Sequence, residues 1–242
     1  MAQHRLYLKT GDTDSRRRTL ATARWLVENS EEIPSGGRGW YYQIDLGFYP
    51  VKAPWLSAMA QGEALSLLLR AYALDKDEAY PETANAAFKS FENPISTGGV
   101  CAVYPDGTLS LEEYPTDPPS HVLNGAIYAL LGLYDFAQFF DTPVAKQLYS
   151  NALEGLRNNL PLYDTGYWSK YDLFPVQRLA SRMYHIIHIR LLDTLFQLTG
   201  EPIFRDYSLK WNRYYHNPIR LLQWGLHKSR ETLRNHQRKN NN

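Results

Sequence analysis

The chain has one cysteine, Cys101, among its 242 residues, so an internal disulfide is excluded and the redox compartment stays open. No apolar run approaches the roughly 20 residues that cross a bilayer. No Asn-x-Ser/Thr sequon occurs, and residues 1–18 are polar and basic, without the apolar stretch of a leader. The expectation is a cytoplasmic protein without a membrane span. There is no excess of either charge: 26 Lys and Arg against 25 Asp and Glu leave +1, which excludes the field that gathers nucleic acid. No nucleotide fingerprint is present, and no cofactor is expected. Aromatics, by contrast, are plentiful at 14%, with 18 tyrosines and 6 tryptophans. Cores do not need so many phenols. Sugar-binding clefts do, because a flat ring stacks on a pyranose while its hydroxyl meets the sugar's hydroxyls.

A repeat organises the chain. Met59–Leu74 reads as a nearly all-apolar helix, broken at Asp75–Asp77 and followed by an amphipathic helix, Glu78–Phe91. His121–Phe140 and Val144–Asn159 repeat the pair, with Thr142 and Pro143 as N-cap and first helical residue. Tyr184–Leu198, the break at Gly200–Pro202, and Ile203–Tyr215 repeat it again. Strand-like aromatic segments lie between the pairs: Trp40–Asp45, Val100–Tyr104 turning into Thr108–Glu112 through Pro105–Gly107, and Tyr167–Tyr171. With a period of about 60 residues, helices buried all round form an inner ring and amphipathic ones cover them. The expected fold class is all-α with short β-hairpins, an incomplete α/α toroid over 15–230. An N-terminal arm (1–14) precedes it and a basic flexible tail (231–242) follows. Ser15–Asn29 reads as an outer helix without an inner mate, so a second copy or a further N-terminal region is expected to cover it. A short last helix is expected at Ile219–Leu226.

Four segments carry candidate chemistry. Gln61 and Glu63 open an apolar inner helix, where either capping or an anionic ligand explains them. Glu112, Glu113 and Tyr114 end a strand, whose alternation turns one carboxylate to a cleft and the other to solvent. Asn124 follows inside an apolar helix, where a structural hydrogen bond and a ligand contact are both open. Tyr163, Tyr167, Trp168 and Tyr171 crowd one hairpin, more than structure alone needs, and read as a sugar platform. Tyr184, His185 and His188 start the third inner helix. The two histidines share a face, but no third ligand stands at a recognisable spacing, so no metal is expected and both read as hydrogen-bonding, substrate-binding residues at a cleft rim.

The stretches PWLSAMAQGEALSLLLRAY (54–72), EEYPTDPPSHVLNGAIYALLGLYD (112–135), LPLYDTGYWSKYDL (160–173) and YHIIH (184–188) together resemble the D-glucuronyl C5-epimerases in their helical C-terminal domain. The resemblance runs from about Arg18 to Trp211. It implies an α/α toroid acting on a glucuronate-containing polysaccharide of heparosan type. It implies catalytic roles for Glu113, Tyr114, Tyr171 and Tyr184. Two departures stand out. Phe174 occupies a place where the animal enzymes carry a substrate-holding arginine, and the β-rich region that helps those enzymes dimerise is not in this chain.

Epimerisation at C5 removes a carbon-bound proton beside a carboxylate and returns one to the other face. It therefore needs two proton-transfer groups and a partner for the enediolate. Glu113 and Tyr184 suit the first need, and Tyr171 and Tyr114 the second. Arg178, Arg182 or His185 would hold the substrate carboxylate. A uronate lyase shares the first step. A hydrolase needs a second carboxylate, for which only Glu63 offers itself. A non-catalytic glycan-binding relative is the remaining alternative.

Overall fold

The computed structural model describes residues 2–176 and 178–240, with 233–240 as backbone only. The chain is helical, with three two-stranded antiparallel pairs among the described residues. It divides into two compact units, one of residues 1–121 and 125–156, the other of 122–124 and 157–242.

In the first unit, α1 (Ala2–Thr10) and α2 (Thr13–Glu28) are linked where the Ser15 hydroxyl donates to Gln3. Asp12 caps α2, accepting from the Ser15 amide at 3.0 Å. The segment expected as an arm is thus largely helix, with His4 buried. α3 (Ala58–Asp75) is buried nearly all round, as its continuous apolar pattern requires, and ends at Lys76 in the left-handed conformation. α4 (Ala79–Phe88) is its shorter, one-sided companion and runs on as a 3-10 turn, Lys89–Glu92.

α5 (Leu123–Phe140) crosses α3 at glycines. A Cβ on Gly62 would stand 2.6 Å from the Ala129 Cα, and one on Gly132 would meet the Gly62 backbone. The two helices therefore touch main chain to main chain. Ser66 and Arg70 of α3 both reach Asp135 Oδ2 at 2.6 Å, and Phe88 stacks on Phe136 at 4.2 Å. α6 (Pro143–Asn159) starts as expected, the Ala145 amide donating to Thr142 Oγ1.

The strand pairs are β1 (Glu31–Glu32) with β2 (Arg38–Gly39), β3 (Tyr41–Tyr42) with β4 (Trp55–Leu56), and β5 (Cys101–Val103) with β6 (Leu109–Leu111). The β5–β6 hairpin lies where the turn signal put it, with Gly107 at φ 84°.

In the second unit, α7 (Arg182–Thr199) is capped by Ser181, whose hydroxyl accepts from the Tyr184 amide, and closes at Gly200 with φ 72°. α8 (Pro202–His216) follows, and then α9 (Pro218–Asn240). α9 outruns the expected Ile219–Leu226 because no breaker follows Gly225 and the basic, polar run that comes next suits a solvated helix. Of the tail expected at 231–242, Asn241 and Asn242 lie outside the described residues. The Tyr167–Tyr171 strand does not form. That segment is held by isolated bridges, Asp164 to Ser169 and Lys170 to Leu179. Among the described residues no helix is long and apolar enough to cross a membrane.

Candidate active site

The segment after β6 places two adjacent carboxylates in opposite environments. Glu112 is buried and accepts five hydrogen bonds. Oε1 receives the Ser110 hydroxyl at 2.5 Å and His121 Nδ1 at 2.7 Å. Oε2 receives the Ser120 amide and hydroxyl, each at 3.0 Å, and the His121 amide at 2.8 Å. Burial alone would push Glu112 up. The hydrogen bonds and charge supplied by His121, with the Ser110 bond, outweigh it and hold the carboxyl below its ordinary range. His121 adopts φ 49° to close this cluster and stacks on Tyr104. Serine, histidine and glutamate meet here, but Ser110 and Glu112 share the same ring nitrogen, so the histidine does not relay between them.

Glu113 points the other way and is 5% exposed. Its carboxyl is pushed up to about 7, first by burial and further by the charges of Glu112 and Glu63, against a hydrogen bond with Tyr114 that pulls it down. It lies on a floor made by Gly125 in the first turn of α5, where a Cβ would come 2.5 Å from the Glu113 Cβ and 2.9 Å from its Cδ. Only glycine leaves room for it. Glu63 on α3 is solvent-accessible, and desolvation raises its carboxyl. Tyr42 of β3 is raised by desolvation and then by Glu113 and Glu63, which sets all three in one electrostatic neighbourhood.

An aromatic wall flanks them. Tyr42 stacks on Trp55 at 4.4 Å, Trp55 meets Tyr114 at 5.6 Å, and Tyr114 meets Tyr49 at 4.7 Å. A buried carboxyl that titrates near pH 7 beside partly open phenols can take a proton from a bound molecule or give one to it.

The second unit holds the remaining candidates. Tyr171 and Tyr184 are half-buried, with ring centroids 4.9 Å apart at 63°, packed against Trp168, Leu179 and Ala180. The Tyr171 carbonyl accepts from the Leu123 amide, and its own amide donates to Arg178, which fixes the tyrosine's backbone on both sides. Arg178 Nε stands 3.2 Å from the buried Asp172, and its guanidinium lies over Phe174 at 5.8 Å. A cation thus sits beside Phe174. Arg182 is exposed over the Tyr215 ring.

Several expected contacts are corrected. Tyr163 and Trp168 are fully buried, and Trp168 donates to the Ala180 carbonyl, so the four-aromatic platform does not exist as such. Tyr167 is half-buried and bonds His227. His185 and His188 are fully buried, both against the Ser169 hydroxyl at 2.7 and 3.0 Å, and His185 Nε2 donates to the Trp211 carbonyl. Burial holds them down, to about 4 and about 3, so they are neutral core residues. Gln61 is buried and its amide pairs with both backbone groups of Trp40, extending the sheet edge. Asn124 is buried in the first turn of α5. Glu112 faces a buried polar cluster where solvent was expected. Among the described residues no group of three metal-ligating side chains occurs. The sequence reading missed Tyr42, Gly125 and the Ser110–Glu112–Ser120–His121 cluster. The signals at hand were a histidine and serine directly before an apolar helix, and a glycine one residue after Asn124.

Residues 36–213 match the family described as D-glucuronyl C5-epimerase C-terminus. The chain belongs to that family. A D-glucuronyl C5-epimerase of Caenorhabditis elegans is 35% identical over 215 residues, covering 80% of this chain and 34% of the nematode protein. An uncharacterised protein of Methanocaldococcus jannaschii is 31% identical over 175 residues, covering 71% of this chain and 56% of the other. This family member therefore spans about a third to just over half of the relatives it matches. Its fold superposes on the crystal structure of a sugar epimerase from a ruminal bacterium with TM-score 0.54 at 15% identity, over 82% of this chain and 53% of that one. The fold class is the expected α/α toroid with short β-pairs.

Proposed function

We propose that the chain carries the catalytic helices of a uronyl C5-epimerase that converts D-glucuronate to L-iduronate within a heparosan-type polysaccharide. The observation that carries the reading is Glu113. It is a buried carboxyl pushed to about 7, set on a glycine floor, in a chain of the epimerase family. A group balanced near neutrality takes a proton from carbon and gives one back with least loss in either direction. Glu113 serves as one proton-transfer group and Tyr114 donates a hydrogen bond to the enediolate; Tyr184 and Tyr171, the half-buried pair of the second unit, are the family-motif candidates for the other proton transfer and a further hydrogen bond.

The step is a balanced exchange. The first group takes the C5 proton, the electron pair of the broken C5–H bond enters the enediolate, and a proton from the second group forms the new C5–H bond on the opposite face. Incubation with heparosan in D2O tests this: deuterium enters C5 and iduronate signals appear. A protein that incorporates no label, on unmodified and N-sulfated chains alike, does not carry this activity. An unsaturated product absorbing in the ultraviolet would instead mark a lyase.

A further inference from the structure

The loop between β3 and β4 is built to hold one aromatic ring in water. Phe48 at its tip is 55% exposed. The loop is cross-braced. Leu46 and Val51 form a bridge, Asp45 takes Lys52 at 2.7 Å and the Ala53 amide at 3.0 Å, and the Trp55 indole donates to the Ile44 carbonyl at 2.8 Å. A braced loop that keeps a phenylalanine out of the core forgoes a burial that most sequences would take. Beneath Phe48 lies Tyr49, almost fully buried at 4.9 Å, and Tyr114 meets the Phe48 ring edge-on at 5.8 Å. Tyr114 also bonds Glu113, so one tyrosine joins the exposed ring to the raised carboxyl.

We propose that Phe48, seated on Tyr49 and Tyr114, is a stacking subsite for a pyranose ring of the polymer, next to the sugar that lies at Glu113. The inference rests on the polysaccharide reading above. The chemistry fits a sugar in three ways. The charged side chains of residues 43–54, Asp45 and Lys52, neutralise each other, so the ring offers an apolar face without a net charge. A Cβ on neighbouring Gly47 would meet nothing within 4 Å, so the approach is open. The large apolar side chains that this loop exposes are Phe48 and Ile44, a scale that suits a pyranose and falls short of the roughly 800 Å² a protein partner covers on each side.

Calorimetric titration with heparosan disaccharide and hexasaccharide tests the subsite, on parent and Phe48→Ala chains and again in a Glu113→Gln background. The expected result is a loss of roughly tenfold in hexasaccharide affinity for Phe48→Ala, with the disaccharide unaffected and Phe48→Trp restoring binding. Circular dichroism checks that the surface change leaves the fold intact. Equal affinity of parent and Phe48→Ala for the hexasaccharide overturns the subsite, as does a parent chain that binds no hexasaccharide. The same loss of affinity in a chain that exchanges no deuterium at C5 upholds the subsite and removes the epimerase reading alone.

Discussion

Replacing Glu113 by glutamine should make this protein more stable, and only where the carboxyl would otherwise be charged. In the native chain Glu113 is pushed from 4.5 to about 7, chiefly by burial. Between these values the folded form keeps a proton that the unfolded chain has already released. Stability therefore falls as pH rises through that window and stays lower above it. The full span corresponds to about 3 kcal/mol. Glutamine has the same shape and no charge, so it removes the loss. At pH 5 the two proteins should be nearly equal, since the parent then holds its proton. At pH 8 the variant should gain about 3 kcal/mol, or roughly 5–10 °C in Tm. Glu112 does not blur the comparison, because its hydrogen bonds hold it ionised throughout this range. Urea unfolding at pH 5 and pH 8 measures the difference. Equal stability at pH 8 would refute the raised carboxyl, and an equal gain at both values would trace the effect to packing instead of charge. A site residue whose removal stabilises the fold is the expected mark of strain kept for function.

Gly125→Ala should force Glu113 back by about 1 Å from its floor, since ordinary carbon contacts lie near 3.5–4.0 Å. Exchange at C5 should drop by roughly a hundredfold, while urea unfolding shows stability changed by no more than about 1–3 kcal/mol. Glu112→Ala strips the acceptor from five donors and should lower stability by about 3 kcal/mol or more, measured by the same unfolding. Gln61→Ala leaves both backbone groups of Trp40 unpaired and should destabilise by about 1–3 kcal/mol. His185 and His188 are held below 6.5 by burial, so the folded chain resists protonation there. Stability should fall as pH drops from 6.5 toward 4, and Ser169→Ala, which removes the hydroxyl both rings use, should lower the starting stability in thermal melts.

The inner helices were legible because burial on all sides leaves a continuous apolar run, and α3 and α5 fall within two residues of their expected limits. Glu113 and Tyr114 stood out only through the family motif, and the β5–β6 hairpin was legible from its Pro-Asp-Gly turn. Direction was the obscure part. Trp168 and Tyr163 belong to an aromatic-rich segment, but composition does not say whether a ring faces water or a neighbour, and here the rings close the core beneath α7. An exposed ring stands instead on the β3–β4 loop, at Phe48, in a stretch to which no motif gave a role. Glu112 was misjudged because alternation gives two faces without saying what covers each. The acceptor-rich carboxylate needed Ser110, Ser120 and His121, and only the folded chain gathers them.

The glycine crossing of α3 and α5 has a mechanical meaning. Where backbones meet without side chains between them, neither helix can slide, because a slip of one residue would drive a Cβ into the opposite main chain. The contact works as a detent. Glu63 rides on one helix and the seat of Glu113 is cut into the other, so the gap between the two acids is set by a notch that carries no charge at all.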